Sequence, residues 1–355
     1  MIFLGRHHAI FSSYIESSII SSYKEFNTLK NLPIKGIYID KNTPGLIPNN
    51  HYFLHSEIPL ISPDLDIKYI FNIEDQMTLY RYLGNGQTYD IDLHKHPETD
   101  FIRYILEDSR CKKIICHIKK MSETLPSLLK SDIIKNKIEY QKIGIPIKNI
   151  KNNNYKNDFN ILFTNSFYNS EYSFYLRGGH ILVNVFLKLV QKYPNIKLTL
   201  RTSIPKNFNY DYHPNIKIIE NFLPENELEE LYLDSNIYVL PSCRVHSHSI
   251  IQAFSYGLPV ISTNGWGVEE FIEHESNGLI IGGFENISWH DENMGCIEHY
   301  QNIMSPQLIQ HASDQLYYYL EFILNNPEYL NQLRENCVST CKSEYSLLNW
   351  KKWSI

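Results

Sequence analysis

The run Pro241–Thr263 reads PSCRVHSHSIIQAFSYGLPVIST. The residues just before it, Asn236–Leu240, are apolar and partly β-branched, which predicts a strand. A polar loop with serines and histidines follows. The spacing then predicts a helix over Ser249–Tyr256, ended by Gly257, and an apolar strand over Pro259–Ser262. A helix that opens on such a loop presents unpaired backbone N–H groups and a positive dipole end, and both favour a bound anion.

The same alternation extends outward. Strands are predicted at Asn160–Thr164, Ile196–Arg201, Ile216–Ile219 and Leu279–Ile281. A helix is predicted over Gly178–Lys192, where Ile181, Leu182, Val185, Phe186, Leu189 and Val190 share one face. Further helices are expected at Pro224–Leu233, Val268–Ile272, Leu308–Asn325 and Pro327–Lys342. The first half repeats the pattern less clearly. It predicts strands at Ile2–Leu4, Lys35–Ile39, Tyr69–Asn72, Lys113–His117 and Ile138–Tyr140. Helices are expected at Ser13–Asn27, Asp100–Glu107 and Met121–Lys130. Such alternation implies α/β architecture, with parallel sheets covered by helices. The Asn-rich segment Ile147–Asp158, IKNIKNNNYKND, is the expected linker, or else a long surface loop. It separates a domain over 1–150 from one over 158–339.

Composition sets outer bounds. A chain of 355 residues suits two domains, and 43% apolar content is enough for ordinary cores. A formal net charge of −6 argues against a nucleic-acid-coating protein. The stretch Lys112–Lys156 is locally basic and leaves room for peripheral contact with an anionic membrane, although a solvated face is the simpler reading. The six cysteines show no CxxC pairing, so reduced thiols are expected. MIFLGRHH reads as a strand rather than a signal peptide. No run approaches the ~20 apolar residues of a membrane span. The expected location is the cytoplasm. GNG at Gly84–Gly86 does not make a dinucleotide fingerprint.

Five segments in order carry a resemblance. They are ILFTNSF, LRGGHILVNVFLKLVQKYPNIKLTL, PNIKIIENFLPENELEELYLDSNIYVLPS, SIIQAFSYGLPVIST and TNGWGVEEFIEHESNGLII. Together residues 159–283 resemble the C-terminal domain of glycosyltransferase family 4 (glycosyltransferase group 1). The resemblance implies a GT-B fold, with two Rossmann-like domains facing a cleft. It implies that the second domain binds a nucleotide-sugar donor and the first an acceptor. YSLLNWKKW, in the tail over about 340–355, is similar to the segment that packs back on the first domain in such proteins.

The resemblance also assigns residues. Arg177 stands where the family has the lysine of its Lys-Gly pair, directly before Gly178. Its guanidinium can grip a phosphate through two donors. The family's other basic residue is missing, because that region reads Asn165-Ser166-Phe167. Arg201 ends a strand and can compensate, since ligands collect at such ends. The family's two glutamates, eight positions apart, are replaced by Arg244 and Gln252. A cation at 244 cannot accept from sugar hydroxyls. An amide at 252 can both accept from a ribose hydroxyl and donate. Ser247, His248 and Ser249 can offer N–H groups to phosphate, and Glu270 matches the family's "GGxxE" acid. Gly5 lies in the loop after the first strand, near donor and acceptor. His94 or His96 is the candidate for the family's active-site histidine, with His117 as rival.

The expected activity is transfer of a sugar from a nucleotide-sugar donor to a hydroxyl of a glycan, lipid-linked or other acceptor, with retention and without a metal or other cofactor. Arg177, Arg244 and His94 are the expected catalytic residues. Two other readings stand beside it: a GT-B nucleotide-sugar epimerase, and a non-catalytic GT-B protein that binds a sugar nucleotide or supports a partner.

Overall fold

A computed structural model of the chain describes residues 2–4, 22–24, 36–39, 51–55, 58–76, 79, 90–148, 158–165, 171–210, 212–243, 245–285, 293–295 and 304–347. The chain divides into two compact units. One comprises Met1–Pro146, His290–Gly295 and Ser346–Ile355; the other comprises Ile147–Trp289 and Cys296–Tyr345.

In the first unit the strands are β1 (Ile2–Leu4), β2 (Ser22–Lys24), β3 (Gly36–Ile39), β4 (His51–His55), β5 (Ile58–Ile61), β6 (Lys68–Ile73), β7 (Asp90–Asp92), β8 (Cys111–Cys116) and β9 (Ile138–Tyr140). The helices are α1 (Pro97–Glu107), α2 (Lys119–Leu129) and α3 (Asp132–Lys137). Six strands form a parallel sheet in the order β2-β1-β4-β6-β8-β9. Two more, β3 and β5, pair separately in parallel. The helix expected over Ser13–Asn27 is corrected at its end, because Ser22–Lys24 is a strand paired with Ile2–Leu4. Sheet pairing there outweighs local helical spacing, as tertiary context commonly does. The rest of that segment lies outside the described residues.

The second unit contains β10 (Asn160–Thr164), β11 (Lys197–Arg201), β12 (Ile216–Ile218), β13 (Ile237–Leu240), β14 (Val260–Thr263) and β15 (Gly278–Ile281). Its helices are α4 (Glu171–Leu176), α5 (Gly179–Lys192), α6 (Glu225–Leu233), α7 (Ser247–Ser255), α8 (Pro306–Asn325) and α9 (Pro327–Glu344). The strand order is β12-β11-β10-β13-β14-β15, all parallel. This is the doubly wound order of a Rossmann fold. A last short strand, Asn293–Gly295, pairs antiparallel with β7 in the first unit.

Every residue of β13 and β14 is buried, as expected for central parallel strands covered on both faces. Each large apolar side chain there contributes roughly 1.5–3 kcal/mol of burial. The helix α5 is buried almost all round because α8 packs over it. Against α7 packs α9, where Arg334 donates to the carbonyls of Gly257 and Ser235, both at 3.1 Å. Ser346, just past α9, bridges Ile145. The segment expected to be a helix at Val268–Ile272 is a 3-10 turn over Val268–Glu270. The five cysteines among the described residues are buried and unbridged.

Candidate functional site

Strands β10 and β13 are neighbours in the second sheet, yet the chain leaves them in opposite directions, from β10 toward β11 and from β13 toward β14. That reversal is the switch point at which open α/β sheets bind ligands, beyond the strands' carboxyl ends. The loops here are those after Thr164 and after Leu240.

Two helix N-termini meet this place. Gly178 caps α5 in the left-handed region, at φ 73°. A β-carbon on it would lie 2.2 Å from the Pro241 carbonyl oxygen. Glycine is therefore required twice over, by dihedral and by space. The contact presses the start of α5 against the loop that feeds α7. Cys243 N–H and the Ser242 hydroxyl reinforce it by donating to the Leu176 carbonyl, at 3.1 and 3.4 Å. At α7 the N-cap is His246. Neither helix start carries a side-chain cap bond. The loop after β14 joins the same group of segments: Thr263 Oγ1 donates to the Ser242 carbonyl, and Val245 N–H to that of Trp266, at 3.0 Å. Glu270, half-buried, ends the 3-10 turn of this loop.

Arg177 and Arg201 lie on the segments beside these helix ends, Arg177 directly before Gly178 and Arg201 at the end of β11. Arg201 Nη1 donates to the Asn165 carbonyl at 2.8 Å, and Asn165 N–H donates back to that of Arg201 at 2.9 Å. Arg201 lies near enough to the Tyr232 hydroxyl, and Arg177 to that of Tyr238, to favour phenolate there. Burial nevertheless dominates and pushes both phenols up, so they stay protonated. Thr164 Oγ1 lies 2.8 Å from the Tyr238 hydroxyl, and Tyr232 donates to Gln252 Oε1 at 3.3 Å. Ser249 also bonds Tyr238. Burial lowers His248 to a pKa of about 4, so its ring is neutral. Its Nδ1 is enclosed and has no hydrogen-bond partner among the described residues.

Of the residues expected from the sequence, Arg177, Gly178, Arg201, Ser247, His248, Ser249, Gln252 and Glu270 thus lie on the segments around this switch point. Gly5 and Arg244 lie outside the described residues. His94 stands in the first unit, half-buried on a 3-10 turn over Leu93–Lys95. Its rival His117 is fully buried, with Nδ1 donating to the Gln141 carbonyl at 2.7 Å and Nε2 facing the Asn72 amide. Sequence reasoning did not single out Thr164, Asn165, Tyr232 or Tyr238. A tyrosine inside an otherwise aliphatic strand, IYVL, was the available signal.

In the basic stretch, Lys113 pairs with Glu139 at 2.9 Å and Lys148 with Glu229 at 3.4 Å. Lys137 donates to the carbonyls of Leu106, Glu107 and Asp108 and so caps α1. These cations serve the fold. Among the described residues no helix is long and apolar enough to cross a membrane, and no three His, Cys, Asp or Glu side chains gather as a metal site.

Residues 160–288 match the family described as Glycosyl transferases group 1. The matched residues all lie in the second unit. The match spans the switch point and both helix starts. Spore coat protein SA of Bacillus subtilis is 28% identical over 140 residues, 34% of this chain and 35% of that protein. The putative glycosyltransferase YtcC of the same organism is 24% identical over 131 residues, 32% of this chain and 31% of that protein. The chain therefore spans about a third of the length of these curated relatives. Among solved structures, sucrose-phosphate synthase of Thermosynechococcus elongatus superposes with a TM-score of 0.62 at 12% identity, over 99% of this chain and 97% of that one. A glycosyltransferase of Rickettsia africae gives 0.56 at 14%, over 98% and 86%. HepE of Anabaena, in complex with UDP-glucose, gives 0.51 at 13%, over 80% and 70%. The fold is GT-B, with two Rossmann-like domains.

Proposed function

We propose that this chain is a glycosyltransferase that passes a sugar from a nucleoside-diphosphate donor to a hydroxyl of a glycan or lipid-linked acceptor. The observation that carries the reading is the close approach of Gly178 to Pro241, which brings the start of α5 against the loop leading into α7 at the switch point, with Arg177 directly before Gly178 and Arg201 at the end of β11. Backbone N–H groups and guanidinium donors suit a diphosphate, whose charge grows as the sugar leaves. The acceptor oxygen forms a bond to the anomeric carbon, and the bond from that carbon to the diphosphate oxygen breaks. The acceptor's proton goes to the departing diphosphate, on the same face, so configuration is retained. Catalysis then rests on positioning and on stabilised leaving-group charge. The guanidinium groups supply the positive charge, so the reading needs no metal.

UDP-sugars are the first donors to try, because HepE is described with UDP-glucose and the pneumococcal transferase GtfA with UDP and GlcNAc. Calorimetric titration of the purified full chain with UDP-, GDP-, ADP- and CMP-sugars tests the reading. Binding of none of them overturns it. The binding-only alternative rests on the sequence: Arg244 and Gln252 stand where the family has two glutamates, and Asn165-Ser166-Phe167 lacks the first basic residue. Tight donor binding without product on a broad acceptor panel would establish that alternative.

A further inference from the structure

Helix α2 carries a proline in its interior. Pro126 has no N–H, so the Ser122 carbonyl, four residues earlier, lacks the bond it would accept in a regular helix. The Ser122 hydroxyl donates to the Lys119 carbonyl at 2.6 Å, which commits its one proton and leaves its lone pairs. Glu123 adds an exposed carboxylate. Ser122 and Glu123 together therefore present a group of acceptors. They line a cleft of about 550 Å³ within the first unit, a size common among small-molecule sites. Helix α3 brings Lys135 to the same cleft, and Pro126, Ile138 and Tyr140 supply its apolar lining. Among the described residues neither Glu123 nor Lys135 forms an ion pair.

A lining with both signs of charge restricts the ligand. A simple anion that meets Lys135 also meets the Glu123 carboxylate, and a simple cation meets the reverse conflict. A molecule carrying both signs satisfies each. Its ammonium suits the acceptors of Ser122 and Glu123, and its carboxylate suits the Lys135 ammonium with its three donors. The Tyr140 ring, on a residue 37% exposed, and the half-buried Pro126 and Ile138 suit an apolar body beside the charges. We propose that this cleft binds a small zwitterion, an amino acid with an apolar side chain. Its ammonium lies at Ser122 and Glu123 and its carboxylate at Lys135. The cleft shares no residue with the switch point of the second unit, so the inference is independent of the sugar-transfer reading.

L-Phenylalanine and two derivatives test each pole. Phenylalaninamide lacks the carboxylate, and N-acetylphenylalanine lacks the ammonium. Ligand-observed NMR on the purified full chain would give the three affinities for wild type, Lys135→Gln and Glu123→Gln, in mildly acidic buffer that keeps the amide's amine protonated. Both substitutions fall at exposed positions and should leave the fold intact. Wild type should bind phenylalanine at least about threefold more tightly than either derivative, the scale of an exposed charge pair. Lys135→Gln should erase the preference over the amide and keep that over the acetyl form. Glu123→Gln should reduce the preference over the acetyl form and keep that over the amide. No binding of phenylalanine near its solubility limit overturns the proposal, as do preferences that persist unchanged in both variants. A preference that persists in one variant overturns the pole assigned to that residue. Nucleotide-sugar binding can succeed or fail without altering either result.

Discussion

Gly178 and Pro241 touch so closely that a β-carbon on the glycine would overlap the proline carbonyl oxygen, at 2.2 Å. This contact joins the two helix starts at the switch point, and no other residue type fits it. The residues are 63 positions apart in sequence (241 minus 178).

Gly178→Ala should damage both stability and binding. The left-handed φ of 73° costs an alanine roughly 1–2 kcal/mol before any clash is relieved. The melting temperature should fall by at least about 4 °C, and nucleoside-diphosphate affinity should drop with it. A variant that melts and binds like wild type would show that the helix starts do not depend on this approach.

Arg177→Ala should weaken nucleoside-diphosphate binding by about tenfold, the value of one charged hydrogen bond. Stability should change far less, since the side chain is only half-buried. Arg177→Lys keeps the charge without the fork and should recover part of the affinity. Unchanged affinity in the alanine variant, measured by calorimetry, would remove Arg177 from the site.

His248 should make the fold acid-sensitive. Burial lowers its pKa from 6.5 to about 4. Above pH 6.5 the ring is neutral in both folded and unfolded chains and has no effect. Between pH 6.5 and about 4 the unfolded chain takes up a proton that the folded chain refuses, so stability falls as pH falls. The urea midpoint of wild type should decline across that window, and that of His248→Asn should decline less. Parallel profiles would contradict the assignment.

Arg334→Ala should separate fold from function. It removes the two bonds that tie α9 to Gly257 and Ser235. A loss of about 1–2 kcal/mol in denaturant unfolding is expected, with nucleotide affinity unchanged at temperatures where the variant stays folded.

Chelation offers a further check. If Arg177 and Arg201 supply the positive charge for the leaving diphosphate, as proposed, EDTA should leave product formation within twofold of the untreated rate. Loss of turnover restored by a divalent ion would show that the cations are insufficient.

Local sequence determined much of this protein. The apolar run Ile237–Leu240, the spacing through Gly178–Lys192 and the Gly257–Pro259 break gave a strand, a helix and a return strand, because burial on a parallel sheet imposes those periods. The order of those elements was enough for a doubly wound fold and for Arg177 beside a helix start. It failed at Ser22–Lys24, where pairing with the first strand outweighed helical spacing.

Tertiary structure decided which side chains meet. Arg201 is held by Asn165, 36 positions away, and Gln252 by Tyr232 on a different helix. Neither pairing leaves a local pattern. The first arises because β10 pairs with β11, and the second because the helices before and after β13 pack together.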